Sequence, residues 1–364
     1  MRLPTSWRRF DFTLFSIVIA LALCSLVLVY SASHHTAALS HLVYKQLLWL
    51  CVGLFAMSFF YVLDYQSLIH SAYLLLGVII FLLILLLLLG KNRGGSARWF
   101  HLGYFLFQPS EFAKLILILA LTRYVSENNR EIRTFWGMLP ALGIAVLMVL
   151  LILRQPDLGT AAVLLPIAFA ILYVAGARAW HLLGILAVGA ASTPLIWSFV
   201  LKDYQKRRWL SFIAPENDAL GSGYNAIQSG IAIGSGGLTG KGFLQGTQSQ
   251  LNFVPMHHTD FIFSVLAEEW GLFGCAFILL LYLTFLMQAV KIAVNARDLR
   301  GTLLCSGIVA MLTTQILFNV GMTSGVLPVT GITLPLLSYG GSSILTIMIC
   351  VGILLNIRRE SSGH

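Results

Sequence analysis

Long apolar blocks alternate with short polar connectors along this chain. The block at 71–89, with its run Phe81-Leu-Leu-Ile-Leu-Leu-Leu-Leu-Leu89, carries no charge over a length that crosses a hydrocarbon core of about 30 Å. Such a block must be helical in lipid, because each backbone N–H and C=O has to be satisfied within the segment. The pattern predicts spans near residues 12–31, 45–63, 71–89, 107–123, 136–153, 158–175, 182–201, 260–290, 302–322 and 340–357. The expected fold is therefore an all-α, polytopic membrane protein of about ten transmembrane helices, with residues 1–364 forming one membrane domain. The first block follows Arg8 and Arg9 and exceeds a signal h-region of about 7–15 residues, which makes it an uncleaved first helix. Residues 202–259 form a long segment between the seventh and eighth spans, too large for a connector and so expected to be functional. It mixes glycine-rich turns (Gly221-Ser-Gly223, Gly234-Ser-Gly-Gly237, Gly240, Gly242) with an amphipathic stretch from Tyr224 to Ile233.

Composition strengthens this picture. Of 364 residues, 58% are hydrophobic and 10% charged, against roughly 25% charged in soluble domains. The net charge of +9 is spread over short clusters and forms no continuous stripe, which argues against nucleic acid. With a cytoplasmic N-terminus, the inside connectors hold Arg2, Arg8, Arg9, Arg123, Arg130, Arg133, Arg178, Lys291, Arg297, Arg300, Arg358 and Arg359, and the short outside ones Lys45, Lys91, Arg93, Arg98 and Arg154. That asymmetry follows the positive-inside rule and puts both termini in the cytoplasm. Two outside segments run against it: 90–107, with Lys91, Arg93 and Arg98, and 202–259, with Lys202, Lys206, Arg207, Arg208 and Lys241. Cations kept on the outer face suit an anionic ligand such as a lipid diphosphate. Cys24, Cys51, Cys275, Cys305 and Cys350 lie in apolar blocks without CxxC spacing, so neither a disulfide frame nor a zinc site is expected.

Acids in or beside apolar spans are costly and therefore informative. Asp260 follows His257-His258-Thr259 at the mouth of the eighth span, where it serves either as a helix cap or as a general base for a hydroxyl. Glu268 and Glu269 lie two turns further on, and adjacent acids there call for an ion pair or a polar cavity. Glu111 and Lys114, three residues apart, share a helix face as an ion pair, with a cavity-lining role as the alternative. Asp157, after Pro156 and beside Arg154, reads first as a helix cap, while its outer position keeps a substrate role open. His257-His258-x-Asp260 gives poor metal-ligand convergence. Gly240-Lys241-Gly242 fails the phosphate-loop pattern, and no GxSxG elbow or SxxK motif occurs.

Seven motifs in order carry a resemblance: Phe107-Gln-Pro-Ser-Glu111-Phe-Ala-Lys114, Gln155-Pro-Asp-Leu-Gly-Thr160, Ile227-Gln-Ser229, Ala232-Ile-Gly-Ser-Gly-Gly237, His258-Thr-Asp-Phe-Ile-Phe263, Ala267-Glu-Glu269 and Pro335-Leu-Leu-Ser-Tyr-Gly-Gly-Ser342. Over nearly its whole length the chain resembles the SEDS proteins (the RodA/FtsW/SpoVE group), named for shape, elongation, division and sporulation. Gly240-Lys-Gly-Phe-Leu-Gln-Gly-Thr-Gln-Ser-Gln250 looks like the elongation branch. The resemblance implies a peptidoglycan glycosyltransferase of the bacterial inner membrane that polymerises lipid II beside a class B penicillin-binding protein and other elongation-complex membrane proteins. It implies that Asp260 is the essential acid and that Glu111 and Lys114 matter to the active cavity. Arg98, Arg207, Arg208 and Lys241 are candidates for the leaving diphosphate, and Asp157 and His258 for substrate contact. No obligatory cofactor is expected, although a divalent cation, Mg or Mn, on the diphosphate is compatible. Met256-His257 departs from relatives that often carry a charged residue there. Two rival readings stand beside this one: a lipid II flippase, and a non-catalytic scaffold for the penicillin-binding protein.

Overall fold

A computed structural model describes residues 10–34, 39, 41–89, 98–102, 105–200, 203–218, 222–251, 253, 254 and 256–361. Lys91, Arg93 and Lys202, three of the outer-face cations, lie outside these residues. The apolar blocks become α1 (Phe12–Ser33), α2 (Leu42–Val62), short α3 (Tyr65–His70), α4 (Ala72–Leu89), α5 (Pro109–Glu127), α6 (Phe135–Arg154), α7 (Leu158–Val174) and α8 (Ala179–Ala191), which continues through α9 (Thr193–Leu195) into a π-turn at Ile196–Val200. The long segment folds as α10 (Asp203–Ile213), α11 (Ser222–Gly236) and short α12 (Thr247–Gln250), and α13 (Ile262–Val294), α14 (Leu299–Thr323) and α15 (Gly341–Ser361) complete the chain. Seven of these helices are long and apolar enough to cross a membrane by length and composition, and α7 and the α8–α9 segment are shorter apolar helices. The predicted fourth span, α5, carries Glu111, Lys114, Arg123 and Glu127. Its apolar positions are still almost all buried among neighbours.

Chain direction follows from contacts at the ends. The ring of Phe10 meets Tyr61 at 5.4 Å, and Asn356 Nδ2 donates to the Tyr61 carbonyl at 2.8 Å. The start of α1 and the ends of α2 and α15 therefore share one end of the bundle. Polar contacts knit that end together: Tyr65 Oη donates to Asp298 Oδ1 at 2.9 Å, and Arg300 reaches Gln66 at 3.0 Å.

At the centre, α15 is the most buried span and packs along α2. Close approach is set by glycines: a methyl at Gly352 would lie 2.5 Å from the Met57 carbonyl oxygen, and one at Gly53 2.8 Å from Met348 Cγ. Small residues at a helix crossing let backbones approach, which is the main source of attraction where lipid is as apolar as leucine.

Two features depart from a plain bundle of straight helices. A small antiparallel hairpin pairs β1 (Phe100–Leu102) with β2 (Phe105–Phe107) in the register Phe100↔Phe107. The second departure is a break in α13 at Gly271, whose backbone is non-helical with φ 64°. Unbroken, the 33 residues of α13 would extend about 50 Å, and Asn319 lies only about 30 Å along α14 from their shared turn. Asn319 nevertheless bonds the Asp260 carbonyl, so the chain has to bend.

Breaking a helix frees backbone groups, and each must find a partner in a dry environment. The glycine-rich part of the long segment supplies them. Lys241 N and Gly242 N donate to the Glu268 and Glu269 carbonyls, both at 3.0 Å, while Leu272 N and Phe273 N donate to Gly237 and Leu238 at 2.9 and 3.1 Å. Contact this close needs bare backbone: a methyl at Gly240 would sit 2.1 Å from the Glu269 oxygen, and one at Gly236 1.9 Å from the Ala267 oxygen. The glycine turns of this segment are thus the complement of a broken membrane helix.

The acid pair beside the break is structural. Glu268 accepts from Gln248 N, Ser249 N and Lys241 Nζ at 2.9, 3.1 and 2.8 Å, anchoring the first turn of α12. Glu269 takes the Ser31 hydroxyl of α1 and Gln250 Nε2.

Candidate active site

Asp260 sits in a turn held from three sides. The Met256 carbonyl accepts from the amides of Thr259 and Asp260, both at 3.1 Å. The three carbonyls from His258 to Asp260 are each taken by a different donor: His258 by Tyr339 N at 3.0 Å, Thr259 by Ser338 Oγ at 2.6 Å, and Asp260 by Asn319 Nδ2 at 2.9 Å. The Ser338 segment is itself fixed by Ser25 Oγ of α1, which donates to the Leu337 carbonyl at 2.9 Å. With the backbone of the turn spoken for, the carboxylate is left to the space in front of it. It does not cap α13, whose N-cap is Phe261 without a side-chain bond.

That space is a cavity of about 280 Å³. Met256, Thr259 and Asp260 form one wall, and Gly331, Ile332, Thr333 and Tyr339 another. Three helix starts open into it: Gln108 and Glu111 at the head of α5, Asp157 and Thr160 at that of α7, and Gly340, Ser342 and Ser343 at that of α15. Each helix N-terminus carries a partial positive charge of roughly half a unit, partly offset at α7 by its Asp157 cap. Arg98 and Lys114 add full charges to the lining. Gly331 is at φ +77°, and a methyl there would lie 3.2 Å from Asp260 Oδ2, so bare backbone flanks the carboxylate.

Burial pushes the Asp260 carboxyl up from its ordinary value to about 6. The Thr259 side chain and the charges of Arg98 and Arg208 pull it down, and Asp157 pushes it up. A carboxylate tuned to that range is largely ionised at neutral pH and more basic than an exposed aspartate, which suits a general base.

Of the nine side chains singled out from sequence, five line this cavity: Asp260, Arg98, Glu111, Lys114 and Asp157. Glu111 and Lys114 pair at 2.9 Å and are both buried. Asp157 caps α7, accepting from Thr160 N at 3.1 Å and Thr160 Oγ1 at 2.9 Å, and also takes Ser110 Oγ at 3.1 Å. Arg98 is turned onto the loop carbonyls of Gln155 and Pro156, so it braces the wall it lines.

The other four do not reach the cavity. Lys241 pairs with buried Glu268 at 2.8 Å, which offsets the cost of burying that charge. Arg208 lines a separate hollow of about 120 Å³ with Ser211 and Phe212, although its charge is felt at Asp260. Arg207 is exposed on α10. His258 stacks edge-on against Tyr339 with centroids 6.1 Å apart, and burial, then neighbouring His257, lowers its pKa to about 4. It is neutral at pH 7 and offers no positive charge. His257 instead ties the turn to α1, its ring nitrogens meeting the Val254 and Ala32 carbonyls at 2.8 and 2.6 Å.

Sequence reasoning passes over Gln315 and Asn319, both buried on α14. The signal is present, since two amides four residues apart in an apolar span lie on one helix face. Tyr339 and Ser342 belong to a recognised motif, and Ser343 follows it directly, but only the structure gives them a place in the site.

Comparison with known proteins agrees across the whole chain. A family model for FtsW, RodA and SpoVE, described as cell cycle protein, matches residues 12–363. The peptidoglycan glycosyltransferase MrdB of Escherichia coli K12 is 39% identical over 352 residues, 95% of this chain and 93% of that one. Stage V sporulation protein E of Bacillus subtilis is 39% identical over 96% of this chain and 97% of its own length. Among solved structures, a chain of a peptidoglycan synthase complex that coordinates polymerization and crosslinking matches with TM-score 0.84 and 35% identity, covering 98% of this chain and 99% of that one. Thermus thermophilus RodA matches with TM-score 0.70 and 32% identity over 98% of each chain. With a match running from the first membrane helix to the last, the chain belongs to the FtsW/RodA/SpoVE family.

Proposed function

We propose that this protein is a peptidoglycan glycosyltransferase that polymerises lipid II during cell elongation, with Asp260 as general base. The observation that carries the reading is the Asp260 turn: three consecutive carbonyls are anchored by donors from other segments, and the carboxylate faces a cavity lined by Arg98, Lys114 and three helix N-termini. Arg98, Lys114 and the helix N-termini set positive charge beside the acids Glu111, Asp157 and Asp260, which suits a diphosphate next to a base, and charge placed in advance of the reaction usually contributes most to catalysis.

In the proposed step, Asp260 takes the proton of the acceptor GlcNAc 4-hydroxyl as that oxygen attacks C1 of the donor MurNAc. The new C1–O bond forms as the bond from C1 to the phosphate oxygen breaks. Its electron pair leaves on undecaprenyl diphosphate, and C1 inverts. Arg98 and Lys114 are assigned to the departing charge. Arg207, Arg208 and Lys241, away from the cavity, are assigned at most a long-range electrostatic part. The chemistry asks for no obligatory cofactor, and comparing product with and without EDTA tests a divalent requirement.

The orientation follows from the charge asymmetry: both termini lie in the cytoplasm of a bacterial inner membrane, and the Asp260 end faces outward. Cross-linking falls to a class B penicillin-binding protein, a role in keeping with the complex from which the similar chain of known structure comes. The test is purified chain, with and without that partner, incubated with lipid II and resolved by gel. Long glycan strands from the native protein and almost none from Asp260→Asn are expected, since a lone base supplies about 10²- to 10⁴-fold. Undiminished strands from the variant would reject the assignment, and flipping without polymerisation would replace it with transport.

A further inference from the structure

Helix α10 is amphipathic in the reverse sense to a surface helix of a water-soluble protein. Its inward face buries polar side chains, Gln205 and Ser211. Arg208 and Phe212 on the same side line the hollow of about 120 Å³ that Ile227 of α11 and Leu327 and Val329, beyond α14, complete. The outward face carries Trp209, Leu210 and Ile213, which are 45%, 55% and 74% exposed. Lys206 and Arg207 stand one turn before Leu210 on that face, Lys206 partly and Arg207 fully exposed. Three large apolar side chains grouped on an outer surface call for something to cover them.

The place of α10 in the chain says what does. It starts three residues after the π-turn at Ile196–Val200 that ends the apolar α8–α9 segment, where Phe199 is 84% exposed. Its neighbour α11 is tied to the end of α14 by Ser229, whose hydroxyl donates to the Thr323 carbonyl at 2.7 Å. α10 therefore lies where apolar helices leave the hydrocarbon, the level at which water and acyl chains meet. A helix with apolar residues outward and cations beside them suits that boundary.

The cations define the lipid. Neither Lys206 nor Arg207 has an ion pair or a side-chain hydrogen bond among the described residues. The single acid of α10, Asp203, is exposed on the first turn and engages neither of them. A neutral bilayer surface would be served by the apolar residues alone, whereas unmatched cations gain from anionic headgroups, each by about fivefold in affinity. A phosphodiester accepts hydrogen bonds from both ammonium and guanidinium.

We propose that the outward face of α10 is a binding surface for acidic phospholipid of the bilayer, with Lys206 and Arg207 on the headgroup phosphate and Trp209, Leu210 and Ile213 among the acyl chains. The inference is independent of the glycosyltransferase reading and of which leaflet the face meets. Lipid held there also steadies Arg208 on the inner face, the cation whose charge reaches Asp260.

The test is amide hydrogen exchange of residues 205–213 in the full chain, in nanodiscs of phosphatidylcholine alone and of phosphatidylcholine with one-third phosphatidylglycerol. Exchange should slow about tenfold with the acidic lipid, the product expected of two cations after partial screening. High salt should erase the difference, and so should Lys206→Gln combined with Arg207→Gln, with α14 and α15 exchanging as in wild type. Leu210→Ser with Ile213→Ser should speed exchange in both bilayers. Equal exchange in the two bilayers would overturn the proposal, as would protection by phosphatidylglycerol that survives loss of both cations. Inorganic phosphate added to phosphatidylcholine nanodiscs should have no effect, and protection by it would reassign the cations to a free anion. Protection in phosphatidylcholine that appears only on adding a penicillin-binding protein would give the face to a protein and end the lipid reading.

Discussion

Asn319 Nδ2 donates to the Asp260 carbonyl at 2.9 Å and to the Ile332 carbonyl at 2.7 Å. One buried amide on α14 thereby fixes the two walls of the cavity relative to each other. Replacing it by alanine leaves two buried carbonyls without that donor, at a cost of about 1–3 kcal/mol each before relaxation. Asn319→Ala should keep its membrane fold but lose roughly 10- to 10²-fold in polymerisation, the scale expected when a reacting group drifts by about an ångström. The loss should fall on kcat more than on KM, read by glycan-strand assays at varied lipid II. A variant with unchanged kcat would show that the Asp260 turn is held well enough without this residue.

The Glu111–Lys114 pair is separable into charge and function. Removing one partner strands a buried charge, which costs about 3–5 kcal/mol, whereas replacing both by apolar groups of similar size is often neutral. Glu111→Gln and Lys114→Met should therefore each lower the unfolding temperature in detergent, and the double variant should recover most of that loss. Activity should not return with it, because Lys114 lines the cavity. A double variant that is both stable and active would leave the pair with a packing role alone.

The contact between the long segment and the α13 break predicts intolerance at a residue remote from the chemistry. In Gly240→Ala, a methyl would meet the Glu269 carbonyl oxygen at 2.1 Å, and φ at this position is +79°. Either the ladder from Lys241 and Gly242 to the Glu268 and Glu269 carbonyls opens, or the segment lifts off α13. Both routes forfeit buried backbone bonds at a combined cost of about 2 kcal/mol or more. Limited proteolysis in detergent should cut residues 238–251 faster in this variant than in wild type. Equal rates would mean the segment is not held by this contact.

The span pattern is legible because lipid imposes helix on any long apolar run, and the ends of α2, α4, α6 and α7 fall within a few residues of where hydropathy puts them. Asp157 announces its capping through Pro156-Asp157, and the structure finds that bond at Thr160 N. Legibility fails where residues act through distant partners. Lys241 looks like a free outer-face cation, and only the folding of its segment onto α13 reveals Glu268 beside it. The break at Gly271 is hidden for the same reason, since one glycine in an apolar span is unremarkable until the loop that completes its backbone bonds is seen. Hairpin β1–β2 escapes notice because three-residue strands fall below any periodic signal.

The charges around Asp260 fix the direction in which its neighbours should move the pH profile. In the proposed role of general base it must be ionised, and burial has raised it to about 6. The active form is therefore lost as pH falls through about 6, and kcat/KM should drop about tenfold per pH unit below that midpoint. The Arg98 charge lowers the Asp260 pKa and the Asp157 charge raises it. Arg98→Gln should accordingly move the acid limb toward higher pH, so that the variant suffers more at pH 6 than at pH 8. Asp157→Asn, in which asparagine can still cap α7, should move it toward lower pH. Opposite displacements from two residues on one cavity wall are hard to obtain from misfolding, which would depress activity at every pH alike. Profiles of lipid II polymerisation from pH 5 to 9 for the three proteins would settle it, and an acid limb that stays put in both variants would remove Asp260 from the role of base.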